Sequence, residues 1–138
     1  MALLRHVALW CKDMEKSRRF YEDVIGWKFI GYRRHRLGLD MSDGTNNITL
    51  LAYGDQADRP LLEEGHEYIH LGVLVEDLTA VWQRLHEWGA KFPAKTVKGR
   101  RQMDPGDLPS RAFKVFDPDG NILDITSDKG EWAGIKTR

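Results

Sequence analysis

Residues 6–29 read HVALWCKDMEKSRRFYEDVIGWKF, and residues 70–92 read HLGVLVEDLTAVWQRLHEWGAKF. With a one-residue deletion in the second stretch, the residues that coincide are His6 and His70, Asp13 and Asp77, Met14 and Leu78, Gly26 and Gly89, Lys28 and Lys91, and Phe29 and Phe92. Each stretch predicts a strand that opens with histidine, an aspartate cap, a helix, a glycine stop and a new strand. The chain therefore contains an internal repeat.

The stretches that follow each helix predict the remaining strands. In the first half, WKFIGYRRHRLGLDMS and ITLLAYG flank the turn SDGTNN, and in the second half RAFKVF and ILDITS flank DPDGN. Early proline and late glycine in DPDGN are typical of a hairpin turn. Each half is thus predicted to be a βαβββ module. Since neither module could bury its sheet and helix well alone, we predict an α+β fold: the two modules pair into a curved mixed sheet around a cleft, with the helices outside.

Length and composition indicate one soluble domain of 138 residues. Its modules are predicted at about residues 1–56 and 67–128, joined by a linker at about 57–66 and followed by a tail over 129–138. The zero net charge argues against a nucleic-acid partner. The sequence shows neither a membrane-spanning apolar run nor a secretory leader. The lone Cys11 suits a reducing compartment, so we expect a cytoplasmic protein with no membrane partner.

His66, Glu67 and His70 match the zinc-protease pattern H-E-x-x-H. That pattern binds zinc when it lies on a helix, because residues four apart then share one face. Here the run is short, rich in strand-forming residues and bounded by Gly65, which favours a strand. On a strand, residues four apart lie about 13 Å from each other. A protease site is therefore disfavoured, and of the two histidines only His70 is retained as a candidate metal ligand.

The repeat and the alternation of residues along strands identify three candidate metal ligands: His6, His70 and Asp124. The two histidines open equivalent strands of the repeat, and Asp124 alternates with Leu123 and Ile125. A buried carboxylate is unfavourable unless it is paired or binds a cation. The alternative is an edge-strand carboxylate that faces water. Two imidazoles and one carboxylate would bind a divalent first-row metal and leave positions open for water and substrate.

At these residues the chain resembles the vicinal oxygen chelate superfamily of glyoxalases, bleomycin-resistance proteins and extradiol dioxygenases. The resemblance rests on LRHVALWCKDMEKSRRFYEDVIGWKF, YIHLGVLVEDL and FDPDGNILDI. The last is similar to the family pattern F-x-D-P-D-G-N-x-x-E-L, whose glutamate ligand falls on Asp124. The resemblance implies that His6 and His70 are the other ligands and that the chain forms a homodimer. The expected cofactor is a divalent ion, with Fe²⁺ or Mn²⁺ favoured over Zn²⁺ or Ni²⁺.

The chain departs from the family at two positions. Glyoxalase I-like members carry a further glutamate near the end of the first half, where Thr49 or Leu50 stands here. Asp124 replaces the usual glutamate and is one methylene shorter, so the backbone must come closer to a metal. The expected three-ligand pattern is therefore closer to extradiol dioxygenases and fosfomycin-resistance enzymes than to glyoxalase I.

We therefore expect a metal-dependent enzyme whose small-molecule substrate chelates the metal through adjacent oxygens. Extradiol ring cleavage is slightly favoured over lyase or isomerase chemistry. Tyr53 and His66 are candidate acid–base catalysts, Trp10 a candidate aromatic wall, and Arg111 a candidate contact to an anionic substrate. The alternative is a metal-independent ligand-binding protein of the bleomycin-resistance type, with Trp10, Trp27 and Tyr53 as stacking surfaces.

Overall fold

The computed structural model describes residues 3–52, 70–93 and 110–134. The chain divides into two compact units, Met1–Leu61 and Leu62–Arg138, called module 1 and module 2 below. The elements of module 1 are β1 His6–Trp10, α1 Met14–Arg19, a π-helical segment Phe20–Ile25, β2 Lys28–Tyr32, a 3₁₀ turn Arg34–Arg36, β3 Gly38–Ser42 and β4 Asn47–Leu51. The described elements of module 2 are β5 Leu71–Leu74, α2 Leu78–Trp88, β6 Ala112–Phe116 and β7 Ile122–Thr126.

Each module forms its own hydrogen-bonded mixed sheet. In module 1 the strand order is β1-β4-β3-β2, with β1 parallel to β4 and the other neighbours antiparallel. In module 2 the order is β5-β7-β6, with β5 parallel to β7 and β6 antiparallel to it. The predicted α+β class with βαβββ modules is confirmed. The strand predicted after α2, in KFPAKTVKG, falls mostly outside the described residues.

Aspartate caps and glycine stops bound the helices of both modules, as predicted. The carboxylates of Asp13 and Asp77 each accept a hydrogen bond from the backbone amide three residues later, at 3.0 and 2.9 Å. Gly26 and Gly89 follow the helices with left-handed φ values of 92° and 80°. Residues with a side chain rarely adopt that conformation, so glycine is the residue suited to both stops.

The one-residue difference between the repeats coincides with a change of helix type in module 1. After α1 the chain continues as a π-helical segment over Phe20–Ile25, and the Gly26 N–H donates to the Tyr21 carbonyl, five residues back, at 2.9 Å. A π turn holds one more residue than an α turn. The extra residue is therefore absorbed inside the helix, and the glycine stop and β2 keep their places in the repeat.

Apolar residues on one face of the module 2 sheet pack against α2. The centre of the Trp82 ring lies 4.9 Å from the centre of the Phe113 ring on β6. The other buried apolar residues of this layer are Val73, Val81, Leu85, Val115, Leu123 and Ile125. In module 1 the corresponding core residues are Leu9, Cys11, Phe20, Tyr21, Val24, Leu39, Met41, Ile48 and Leu50. Among the helices that the structure describes, none has the length and apolarity needed to cross a bilayer.

Candidate functional site

The turn DPDGN is held together by its own side chains. Asp117 Oδ1 accepts hydrogen bonds from the backbone amides of Asp119 and Asn121 at 2.9 and 2.8 Å, and Asn121 Nδ2 donates to Asp117 Oδ2 at 2.7 Å. Asp117 and Asn121 are both buried. These polar residues therefore build the turn between β6 and β7. The turn precedes Asp124, the predicted ligand, by three residues.

Asp124 lies on the middle strand of the module 2 sheet, between two nitrogen-bearing side chains. Lys114, its register partner on β6, donates from Nζ to Asp124 Oδ2 at 3.1 Å. His70 Nε2 lies 3.5 Å from the same oxygen. The side chains of Lys114 and Asp124 are only 14% and 15% exposed. Asp124 is thus a paired, largely buried carboxylate, and the edge-strand alternative is wrong.

The separation of His70 and Asp124 fits two ligands of one divalent ion. Two donor atoms that each lie about 2.1 Å from a tetrahedral metal are about 3.4 Å apart, and His70 Nε2 and Asp124 Oδ2 are 3.5 Å apart. That distance is long for a hydrogen bond. The Lys114 ammonium is an opposing feature, because it already neutralises the carboxylate and would repel a cation. Within the described ranges, no group of three or more His, Cys, Asp or Glu side chains is placed to hold a metal ion.

His6, the predicted ligand in module 1, is oriented by Asn47. His6 Nδ1 lies 2.6 Å from Asn47 Oδ1, on the residue paired with it in register. Because an amide oxygen only accepts hydrogen bonds, this contact requires a proton on Nδ1, and in the matching tautomer the ring lone pair is at Nε2. A metal-ligating histidine needs this arrangement, with one nitrogen held by a fixed partner and the other directed to the metal.

Asn47 belongs to a polar network centred on Asp40. Thr49 Oγ1 and Arg33 Nε donate to Asp40 Oδ1 at 2.7 and 3.0 Å, and Asn47 also hydrogen-bonds the Asp40 carboxyl. Burial alone raises the pKa of Asp40, but the hydrogen bonds and the Arg33 charge outweigh it and hold the pKa below its ordinary value. The network therefore keeps a carboxylate ionised one strand away from the partner of His6.

Register relates this network to the cluster in module 2. Ala8 pairs with Thr49 just as Gly72, its equivalent in the repeat, pairs with Asp124. Thr49 thus occupies the position equivalent to Asp124 and is fully buried. As the sequence indicates, this position in module 1 carries no carboxylate. A carboxylate lies instead on the adjacent strand, at Asp40, the register partner of Thr49.

A shallow depression of about 500 Å³ borders the Asp40 network. Its lining residues are Arg33, Arg34, Leu37, Gly38, Asp40 and Leu51. Arg33 is ion-paired with Asp40 at its wall, and the nearby Arg36 guanidinium lies 3.9 Å from the centre of the Tyr32 ring. Arg33 and Arg36, two cations of the basic run at residues 33–36, therefore make contacts within module 1.

The structure describes Trp10, the predicted aromatic wall, but not the two predicted acid–base residues. Trp10 is the last residue of β1, on the face of His6 by strand alternation, and is half-buried. Tyr53 and His66 lie outside the described residues, as does Glu67 of the H-E-x-x-H pattern. The assignments of all three candidates, Trp10, Tyr53 and His66, remain predictions.

Arg111 contacts the C-terminal segment of its own module. Its Nε lies 3.1 Å from Asp128 Oδ2 and 2.8 Å from Glu131 Oε2. The contact with Glu131 lacks hydrogen-bond geometry and is therefore an ion pair only. Substrate binding by Arg111 remains a prediction, and the contacts present indicate a role in holding the segment after β7.

The predicted site residues did not include Lys114 or Trp132 of module 2. Lys114 alternates with Phe113 and Val115 in RAFKVF, so a cation on the face opposite the core was a readable signal. A Cβ atom built on Gly72 would lie 2.6 Å from Trp132 Cζ2, so the indole rests on the backbone of β5. Glycine inside a strand is a known sign that another group approaches closely, and this was the available clue.

Comparison with known proteins gives matches over most of the chain. The family model described as Glyoxalase/Bleomycin resistance protein/Dioxygenase superfamily matches residues 3–125. The uncharacterized protein YwkD of Bacillus subtilis (strain 168) is 33% identical over 122 residues, which is 80% of this chain and 95% of that protein. A lactoylglutathione lyase of Neisseria meningitidis serogroup A is 29% identical over 137 residues, 91% of each chain.

A solved structure shares the fold. The crystal structure of the fosfomycin resistance protein FosX from Mesorhizobium loti aligns with a TM-score of 0.64 over 93% of each chain, at 16% sequence identity. At that identity the likeness establishes the fold alone. Because each of these matches covers at least 80% of this chain, residues of both modules take part in them.

Proposed function

Since the chain belongs to the Glyoxalase/Bleomycin resistance protein/Dioxygenase superfamily, we propose that it is a metal-dependent enzyme that acts on a small molecule with adjacent oxygens. The proposed ligands are His70 and Asp124 of module 2 and His6 of module 1. The observation that carries the proposal is the 3.5 Å separation of His70 Nε2 and Asp124 Oδ2 on a largely buried carboxylate. When bound, a divalent ion polarises substrate oxygens and stabilises the negative charge that develops on them.

The state of His6 supports its place in the ligand set. Its Nδ1 proton is directed to Asn47, which leaves the Nε2 lone pair for a metal. Two imidazoles with one carboxylate suit first-row ions, and Fe²⁺ or Mn²⁺ is favoured over Zn²⁺ or Ni²⁺. Lys114, 3.1 Å from Asp124, is the cation proposed to contact an anionic oxygen of the substrate.

The comparisons bear on the reaction class. The sequence slightly favours extradiol ring cleavage, whereas a relative that is 29% identical over 91% of each chain is named a lactoylglutathione lyase. That name supports the lyase or isomerase alternative, in which a proton moves on a metal-chelating substrate. Assays for lactoylglutathione lyase activity and for oxygen-dependent cleavage of catechol would separate the two classes.

A second candidate function is metal-independent binding of a small molecule, and the Lys114–Asp124 pair favours it. An ammonium at 3.1 Å already balances the carboxylate that a metal would otherwise neutralise. In this case the sheet face that carries Asp124 and Lys114 is a polar ligand-binding surface, and neither histidine needs a metal. Metal content distinguishes the two candidates directly.

The deciding experiment is elemental analysis of the purified chain after incubation with Mn²⁺, Fe²⁺, Zn²⁺ or Ni²⁺ and removal of free metal. We expect one bound ion per chain in the wild type and a loss of binding in His6→Ala and His70→Ala. His35→Asn is the matched control, because His35 lies in an exposed turn and its left-handed φ of 61° tolerates asparagine. A metal-free wild type would favour the binding protein instead.

We also propose that the chain is a cytoplasmic homodimer. The family resemblance supports the dimer, and the single buried Cys11 is in keeping with a reducing compartment. Light scattering on the eluting peak of a size-exclusion column tests the dimer, since a monomeric mass at working concentration would contradict it.

A further inference from the structure

The indole of Trp132 lies on the sheet face that carries His70 and Asp124. A Cβ atom on Gly72 would be 2.6 Å from Trp132 Cζ2 and 2.8 Å from Cη2, far inside van der Waals contact. Residue 72 must therefore be glycine for the ring to rest on β5. Gly72 is the register partner of Asp124 and stands two residues after His70. The ring consequently lies beside the β7 position of Asp124 and two residues from His70, which directly precedes β5.

The segment that carries Trp132 is folded by local polar contacts. The Asp128 N–H donates to Thr126 Oγ1 at 3.1 Å, and the Glu131 N–H donates to the Asp128 carbonyl at 3.1 Å. Arg111 Nε lies 3.1 Å from the Asp128 carboxylate and 2.8 Å from that of Glu131. These contacts precede Trp132 directly and direct it back across β5.

Trp132 is only half-buried, so part of this residue remains accessible while its ring rests on Gly72. An indole is rigid and large, and it prefers to stack in an offset arrangement against planar groups. We propose that Trp132 forms an aromatic wall of the substrate site. It selects ligands that carry a planar, conjugated group next to the chelating oxygens. Arg111 is a positioning residue that holds this wall through Asp128 and Glu131.

The inference rests on the proposed function for the site and goes further by naming the substrate class. Benzohydroxamate and acetohydroxamate form a matched pair of probes: both offer the same two adjacent oxygens, and only the first carries a ring. Their affinities are measured by isothermal titration calorimetry on Mn²⁺-loaded wild type, Trp132→Ala, Trp132→Phe and Gly72→Ala.

We expect Trp132→Ala to weaken benzohydroxamate binding about five- to tenfold, the scale of one aromatic stacking contact, and to change acetohydroxamate binding less than about twofold. Trp132→Phe retains a ring and should keep benzohydroxamate affinity within about twofold of the wild type. Gly72→Ala should behave like Trp132→Ala, because the added methyl group displaces the indole. Thermal melts of each variant confirm that it is folded.

Equal weakening of both probes by Trp132→Ala, or no weakening of either, would overturn the assignment of Trp132. If benzohydroxamate binds the metal-free wild type and still requires Trp132, the aromatic wall stands and the metal part of the proposed function fails. If the wild type binds neither probe with Mn²⁺ present, the proposed function fails and this inference falls with it.

Discussion

The two modules share one architecture but carry different charges at equivalent strand positions. In module 1 the pair on β4 and β3 is Thr49 and Asp40, hydrogen-bonded at 2.7 Å. In module 2 the equivalent pair on β7 and β6 is Asp124 and Lys114, at 3.1 Å. The carboxylate has changed strand, and its partner has changed from a hydroxyl to an ammonium. The fold therefore preserves the register while each module has its own charge arrangement.

The two histidines differ in a corresponding way. His6 is held by Asn47, which accepts its Nδ1 proton. The position equivalent to Asn47 in module 2 is Ile122, two residues before Asp124, and its side chain offers no hydrogen bond. His70 Nε2 instead lies 3.5 Å from Asp124. Module 1 thus presents a histidine oriented by a neutral amide, whereas module 2 presents a histidine beside a charged group. Under the proposed function, the anionic ligand therefore lies in module 2.

The largest expected effect comes from removing that charge. Asp124→Asn keeps the shape of the side chain but removes the anionic ligand, and we expect divalent-ion affinity to fall about 100-fold or more. Calorimetric titration with Mn²⁺ measures the change. Asp77→Asn is the control, because it removes a carboxylate from the same module and preserves the helix cap. Unchanged affinity in Asp124→Asn would remove the distinction between the modules.

A smaller effect is expected from the neutral Asn47 amide of module 1. Asn47→Ala removes the acceptor that fixes the His6 tautomer, so we expect metal affinity to fall about tenfold, the usual scale for groups that orient a ligand. Nitrogen NMR of the imidazole should show an Nδ1-protonated ring in the wild type and a mixture in the variant. Asn46→Ala, in the turn before β4, leaves His6 untouched and serves as the control. A single tautomer in both proteins would contradict the role of Asn47.

Removing the Lys114 ammonium should raise divalent-ion affinity rather than lower it. Lys114→Met leaves the Asp124 carboxylate without its hydrogen-bonded cation and removes a like charge from the neighbourhood of a bound ion. We therefore expect divalent-ion affinity to rise about three- to tenfold. Lys129→Met, which removes an exposed lysine from the same module, should change affinity much less. A loss of affinity in Lys114→Met would show that Lys114 supports metal binding.

The smallest expected effect is on the stability of module 1. The pKa of Asp40 is lowered in the folded chain from its ordinary 3.8, so its charged form stabilises the fold above that pH. We expect Asp40→Asn to lower the free energy of unfolding near neutral pH by about 1 kcal/mol. The difference from wild type should shrink as the pH falls below 3.8 and through the folded-state pKa. Urea unfolding over this range tests it, and a pH-independent difference would contradict the account.

Local features of the fold could be predicted from sequence because neighbouring residues determine them. The caps at Asp13 and Asp77 and the turn DPDGN all satisfy backbone groups within a few residues. The repeat then extended the prediction from one module to the other. The π-helical segment was not predicted. Its one trace in the sequence is the one-residue mismatch between the repeats, which does not by itself indicate a helix type.

Features of the candidate site that depend on distant residues were harder to predict. Lys114 meets Asp124 only through the register of β6 and β7, and alternation alone does not identify the opposing residue. Trp132 reaches Gly72 because the chain turns back after β7, which no periodic pattern indicates. The sequence therefore proposed His6, His70 and Asp124 as ligands, and its predicted site residues did not include Lys114, which contacts Asp124, or Trp132, which rests on Gly72.

The most direct test of the central claim is an anomalous difference map from crystals grown with Mn²⁺ and measured near the manganese absorption edge. We expect one strong peak per chain, within coordination distance of His70 Nε2 and Asp124 Oδ2, with His6 Nε2 as the third protein ligand. A map without a peak at Asp124, in crystals where Lys114 still occupies that carboxylate, would contradict the claim and leave the metal-independent binding protein.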